Sequence, residues 1–192
     1  MRRVNKNGRD RRVKRSRRTV LDAFFTLVLK EPYERITVRE IALRAGVSRS
    51  TLYEHFGSKD GLLAASLEGP LSMLADTVQA ADNTAGIVAV LEHFWANRTI
   101  APGLFAGPMR RHTVGVLVRL IAKRLRSAPP SRRAALVIPV RLAATQLAEV
   151  LFAPTAAWTL GQSGCSVSRL AAVLRETTQA LMQVLHGGGA GR

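Results

Sequence analysis

One cysteine, Cys165, stands in 192 residues, so no intramolecular disulfide framework is available and a reducing compartment suits the chain. Acid is scarce: 13 Asp and Glu face 29 Lys and Arg, a formal charge of +16 that points to a polyanionic partner. No uninterrupted apolar run reaches the ~20 residues needed to span a bilayer. The basic N-terminus leads into only seven residues, 23–29, between Asp22 and Lys30, without a small-residue cleavage site, which argues against a secretion signal. A cytoplasmic protein with no membrane partner is expected. Alternating strand patterns bounded by hairpin turns are missing, as is any internal repeat. The four histidines, His55, His93, His112 and His186, show no metal-ligand spacing. There is also no glycine-rich phosphate loop, nucleophile elbow or pair of carboxylates on a shared face. Neither a metal, a cofactor nor an enzymatic reaction is expected.

What is present reads as helix. Apolar residues make up 47% of the chain, enough for a folded protein with a buried core. Its charge is unevenly spread: residues 1–18 hold ten cations and one acid, whereas residues 19–60 hold six of each sign. The first 18 residues are therefore expected to form a mobile basic arm. A helix is predicted over 17–30, with Val20, Leu21, Phe24, Phe25, Leu27 and Val28 as its apolar stripe and Pro32 beyond its end. Further helices are predicted over 37–45, 48–56 and from Ser58 toward Gln79, the last bent or interrupted at Gly69-Pro70. Beyond Asn83 the pattern predicts helices over 86–98, 110–127, 131–152 with a kink at Pro139, and 166–186. Irregular pieces are expected near 102–108 and over 153–165. The fold class is all-α, with an arm (1–18), a helix-turn-helix domain (19–60) and a larger helical body (61–192).

The stretch 37–56, TVREIALRAGVSRSTLYEHF, organises the rest. Thr37 and Glu40 have the spacing of a capping box, and Val38, Ile41, Ala42 and Ala45 give one apolar face. Gly46 follows where a helix end needs a left-handed residue without a Cβ. Ser48 is a second N-cap, behind which Arg49, Ser50 and Thr51 form the first turn while Leu52 and Phe56 point back to the core. This is a helix-turn-helix, whose second helix offers its opening side chains to base edges in a DNA major groove.

Residues 20–65, TVREIALRAGVSRSTLYEHFGSKDGLLAA above all, resemble the TetR family of transcriptional repressors, and the run from Trp158 and Gly161 into Ser166–Leu185 matches more loosely. The resemblance implies a three-helix DNA-binding domain, a fourth helix leading into a ligand-binding body, and a homodimer through the last two long helices. It implies a ligand-released repressor that binds a palindromic operator, and no cofactor. This chain departs from many members in having Ser50 where they have Gly before Thr-Leu-Tyr, and its basic arm is longer.

The candidate contacts follow. Arg49 suits base readout, because a guanidinium grips guanine O6 and N7 together; its plainer reading is a phosphate contact. Ser50 and Thr51 are short enough to read a base or only to support the helix. Tyr53 and His55 resemble family residues that hold the DNA backbone. Lys59 lies on the first turn of the fourth helix, where free amides already favour a phosphate. Thr37 and Ser48 cap helices that face the duplex, and Arg15, Arg17 and Arg18 of the arm suit backbone or minor-groove contacts. Family resemblance places an effector cavity among the middle helices. Phe94, Trp95, Phe105, His112, Leu117, Gln146, Glu149, Phe152 and Trp158 are its candidate lining, with ordinary core packing as the rival reading. Acids are few there, so an apolar effector that is neutral or anionic is expected. Two rivals remain: an architectural protein that coats DNA, and a helical enzyme with a DNA-binding appendage.

Overall fold

A computed structural model describes residues 6–28, 30–79, 83–162 and 164–187, and among these every regular element is helical. The chain divides after Ser66 into two compact units, and the division falls within one helix.

In the first unit, α1 (Lys6–Val28) buries Val20, Ala23, Phe24 and Leu27, a run spaced i, i+3, i+4, i+7. The stripe is narrower than expected, since Phe25 is exposed and Leu21 and Val28 are only half-buried. The helix also begins well before residue 17, so the expected arm is helical from Lys6; residues 1–5 lie outside the described residues. Arg and Lys are strong helix formers, and once the apolar turns around Val20 are docked, extending the helix upstream adds a hydrogen bond per residue fixed. Then come α2 (Val38–Ala45) and α3 (Arg49–Phe56), both packed on α1. The next helix, α4 (Lys59–Ala75), starts hard against the end of α3: a Cβ on Gly61 would lie 2.0 Å from the Phe56 carbonyl oxygen. Only glycine fits there. Pro70 lies inside α4 without ending it, and the helix tightens after Ala75 into a 3-10 turn over Asp76–Val78.

In the second unit, α5 (Thr84–Ala96) buries Ile87, Val90, Leu91 and Phe94, as its periodicity predicts. A 3-10 turn (Arg98–Ile100) and α6 (Ala101–Phe105) replace part of the expected irregular stretch, and α7 (Gly107–Ser127) follows. The helix expected over 131–152 is in fact two, α8 (Pro130–Ala134) and α9 (Val140–Thr159). Pro139 is the cause: it disfavours helical geometry at Ile138 and stands as N-cap, its carbonyl accepting from Leu142 and Ala143. The intervening turn is held by the Val137 amide, which donates to the Leu185 carbonyl at 3.0 Å. Conversely, Pro154 does not end α9. Its ring lies on the exposed face, while Thr155, Ala156, Trp158 and Thr159 beyond it are buried and keep the helix going. The connection to α10 (Val167–Leu185) is pinned by Trp158 Nε1, which donates to the Cys165 carbonyl.

The core of this unit is α7 against α9 and α10 against α5. Helix α7 buries Leu117, Ile121 and Leu125, and α9, packed on it, buries Ala143, Ala144, Leu147, Ala148 and Leu151, a face whose alanines let backbones approach. Buried threonines on these helices, Thr113, Thr155, Thr159 and Thr178, each donate to the carbonyl four residues back and so carry no unsatisfied hydroxyl. No helix among the described residues is long and apolar enough to cross a membrane.

Candidate nucleic-acid interface

The interface is built from caps. Thr37 Oγ1 accepts the Glu40 amide at 3.2 Å, while Glu40 Oε2 accepts from the Thr37 amide and hydroxyl, both at 2.7 Å. Those hydrogen bonds, the hydroxyl's first, hold the Glu40 carboxyl below its ordinary value although the side chain is fully exposed. A group with a depressed folded pKa stabilises the fold above its unfolded value, near 4.5, and that contribution is lost as pH falls through the folded value. Thr37→Ala is expected to cost ~1 kcal/mol and to return the Glu40 carboxyl toward its ordinary titration, followed by NMR across acid pH.

Gly46 ends α2 at φ 64°, and the Val47 amide reaches the Ala42 carbonyl at 3.0 Å. That left-handed step sets the turn and delivers Ser48 as the cap of α3. Ser48 Oγ accepts the Thr51 amide at 3.1 Å and lies 2.7 Å from Ser50 Oγ and 2.9 Å from Thr51 Oγ1. Three hydroxyls thus converge on the first turn. Ser48, Arg49 and Ser50 are exposed and Thr51 is half-buried, whereas Leu52 behind them is fully buried. Arg49 has no acidic partner among the described residues. A rigid helix therefore presents a free guanidinium and short hydroxyls at its opening end. Tyr53 is half exposed on the same helix, and the ring of half-buried His55 packs edge-on to Phe56.

Two of the expected DNA contacts, Arg17 and Lys59, are also engaged within the protein. Arg17 Nη1 donates to the His55 carbonyl at 3.1 Å, and its guanidinium lies 4.7 Å over the Phe56 ring. A helix C-terminus leaves carbonyls without partners and favours a cation there, so Arg17 braces α1 against the end of α3. Phe56, expected in the core, is half-buried beneath that guanidinium. Lys59 Nζ donates to the Tyr33 and Ile36 carbonyls at 2.9 and 3.0 Å and lies 4.1 Å over the Tyr33 ring, leaving one N–H for an outside phosphate. Tyr33 donates its hydroxyl to Asp60 and meets Phe24 edge-on. Burial, and then the Asp60 hydrogen bond, push its phenol well above the ordinary tyrosine value. This brace was invisible in the sequence because its partners are 23 to 27 residues apart. Arg15 and Arg18 are exposed, the latter 4.0 Å from Asp22 in a solvent-screened pair. Arg39 and Arg44 are exposed cations of α2 that the motif does not single out; their spacing carries no signal apart from charge.

In the second unit the candidate lining residues come together largely as packing. Phe105 meets Phe94 and Phe152 edge-to-face, at 5.1 and 5.5 Å between ring centroids. Trp95 lies 4.8 Å from Trp158, with the Arg98 guanidinium over its ring. Glu149 is paired with Arg110 at 2.6 Å, and that guanidinium lies over Phe152. Leu117 is fully buried, while Gln146 and His112 are exposed. A cavity of about 1000 Å³ opens elsewhere, at the C-terminal ends of α7 and α10, and none of these nine residues lines it.

Residues 20–66 match the family model for bacterial regulatory proteins of the TetR family. The HTH-type transcriptional regulator AlkX of Mycobacterium tuberculosis is 39% identical over 64 residues, 33% of this chain and 30% of that protein. The HTH-type transcriptional regulator BetI of Rhizobium meliloti is 30% identical over 123 residues, 58% and 61% respectively. The chain thus spans less than two thirds of the length of either relative. A TetR-family regulator from Streptomyces coelicolor shares the fold at TM-score 0.61 and 17% identity, over 88% of this chain and 96% of that one. A TetR transcriptional regulator from Streptococcus agalactiae does so at TM-score 0.56 and 22% identity, over 91% and 99%. Residues 20–66, which carry the helix-turn-helix, are thus similar to the TetR family of bacterial regulatory proteins, and the chain shares the helical fold of the two solved regulators.

Proposed function

We propose that this chain is a DNA-binding transcriptional regulator, a homodimeric repressor of a pseudo-palindromic operator that an effector releases. The observation that carries it is the contrast within one turn of α3: Leu52 has no exposed surface, while Ser48, Arg49 and Ser50 beside it are open to solvent. Such a helix is fixed from behind and free in front, as major-groove readout requires. Arg49 would read guanine, Thr37, Tyr53 and the last N–H of Lys59 would hold phosphates, and Arg15 and Arg18 would reach the backbone alongside. Dimerisation is supported by α10, which leaves Val173, Thr177, Ala180 and Val184 exposed at i, i+4, i+7, i+11, and by the exposed Leu142 and Gln146 of α9. Two such chains would set their recognition helices about 34–36 Å apart, or at a related spacing. The lone exposed Cys165 suits the reducing cytoplasm in which a regulator of this kind works.

Selection from a random duplex library, followed by footprinting, tests this. One short protected pseudo-palindrome is the expected outcome, and uniform coating would favour an architectural protein instead. Arg49→Ala should cost ~1–3 kcal/mol at a single guanine position of each half-site and little elsewhere. Deletion of residues 2–12 should weaken binding and flatten its salt dependence by about 0.9 in logarithmic slope for each phosphate that the segment neutralises. An unchanged slope would remove that segment from the interface.

A further inference from the structure

We infer that the cavity at the C-terminal ends of α7 and α10 binds an organic anion with an apolar body. Its walls are the 3-10 turn after α4, the last turn of α7, α8 with the residues around it, and the last two turns of α10. At about 1000 Å³ it is as large as small-molecule sites commonly are. Three arginines line it, Arg124, Arg132 and Arg133, and no acid does. The sequence explains the bias, because no Asp or Glu occurs between Glu92 and Glu149, the segment that supplies two of the walls.

The three arginines are not equivalent. Arg124 is satisfied within the fold: it pairs with Asp76 at 2.6 Å and donates to the Ser72 hydroxyl, the Ser72 carbonyl and the Leu120 carbonyl. It is a neutralised piece of wall that ties the 3-10 turn to α7. Arg133 uses one nitrogen on the Arg126 carbonyl at 3.1 Å, and Arg132 forms no ion pair among the described residues. Two arginines consecutive in α8, neither in an ion pair among the described residues, therefore line a concave surface. The side facing them from α10 carries amide and imidazole groups and no acid, Gln183 and His186 among them. His186 is tied back to its own helix by Nδ1, which donates to the Met182 carbonyl. Leu125, Leu136 and Met182 supply an apolar surface in the same cavity. A carboxylate or phosphate head would take charge-assisted, bidentate hydrogen bonds from Arg132 and Arg133, and a hydrocarbon body would cover the apolar wall. A cationic ligand meets like charge, and a neutral one forgoes those bonds.

The binding claim stands without DNA; only the step from binding to operator release rests on the regulator reading. The test uses the purified full chain with decanoate, decyl phosphate, 1-decanol, decylammonium and inorganic phosphate, each titrated calorimetrically below its micelle concentration. Decanoate or decyl phosphate should bind once per chain, and whichever binds tells the two head groups apart. The alcohol, the amine and inorganic phosphate should bind at least tenfold more weakly. The double variant Arg132→Gln/Arg133→Gln should weaken the anionic amphiphile at least tenfold with an unchanged thermal melt, since both side chains are exposed. Equal binding of decanol, equal binding of inorganic phosphate, or an unaffected double variant would each overturn the assignment. Binding as described with no effect on an operator complex would uphold the site and sink the effector-release reading alone.

Discussion

Leu52→Ala is expected to abolish the proposed operator binding by unfolding the helix-turn-helix rather than by removing a DNA contact. Leu52 has no exposed surface and is the one buried residue of α3, so it is the main apolar tie between the recognition helix and the core. Truncating a fully buried leucine costs ~2–5 kcal/mol, according to how far the site collapses around the cavity. A unit of this size stands near the low end of the ~5–15 kcal/mol typical of folded domains, so a loss in that range removes much of its margin. Circular dichroism should show the helical signal of the variant melting at lower temperature or in less denaturant. The contrast with Arg49→Ala makes the measurement decisive. Leu52→Ala should lose binding to every site, whereas Arg49→Ala should lose discrimination at its one guanine position and keep the wild-type melt, because Arg49 is exposed and has no acidic partner among the described residues. If Leu52→Ala binds DNA normally and melts as the wild type does, α3 is not anchored as described.

The second large effect is expected at Phe152→Ala, with a loss of ~3–5 kcal/mol. Phe152 is buried to 1% exposure and takes the ring of Phe105 edge-on, which in turn takes Phe94. Aromatic pairs of this kind add ~0.5–1.5 kcal/mol beyond the area they bury. The tryptophans, Trp95 and Trp158, lie on α5 and α9 in the same unit, so fluorescence during denaturation reports the change directly. The result also decides between two roles for this cluster. If the rings pack against one another, stability falls by that amount. If they line an effector cavity that is open in the free protein, the stability cost is small and ligand affinity changes instead.

Features that depend on residues within about five positions of each other were legible in the chain. The capping box of Thr37 and Glu40, the left-handed Gly46, the Ser48 cap and the buried faces of α2 and α5 all follow from such local spacing. The exposure of Arg49 and the burial of Leu52 were legible too, from a polar opening turn behind the Ser48 cap followed by a leucine. The prolines were harder to read. Pro139 broke a helix that its sequence pattern would have kept whole, and Pro154 left one intact, because the deciding factor was what the following residues bury.

The sequence by itself determined the all-helical character, the helix-turn-helix and its outward-facing first turn, since short-range hydrogen bonds and periodic apolar faces specify them. Only the tertiary structure decided which cations remain free. Arg17 meets the end of α3 from 38 residues away, Lys59 meets the turn before α2, and Arg124 meets Asp76 across 48 residues, whereas Arg49 and Arg132 form no ion pair among the described residues. A charge count is the same in either case; a hydrogen bond between distant segments exists only once the chain has brought them together.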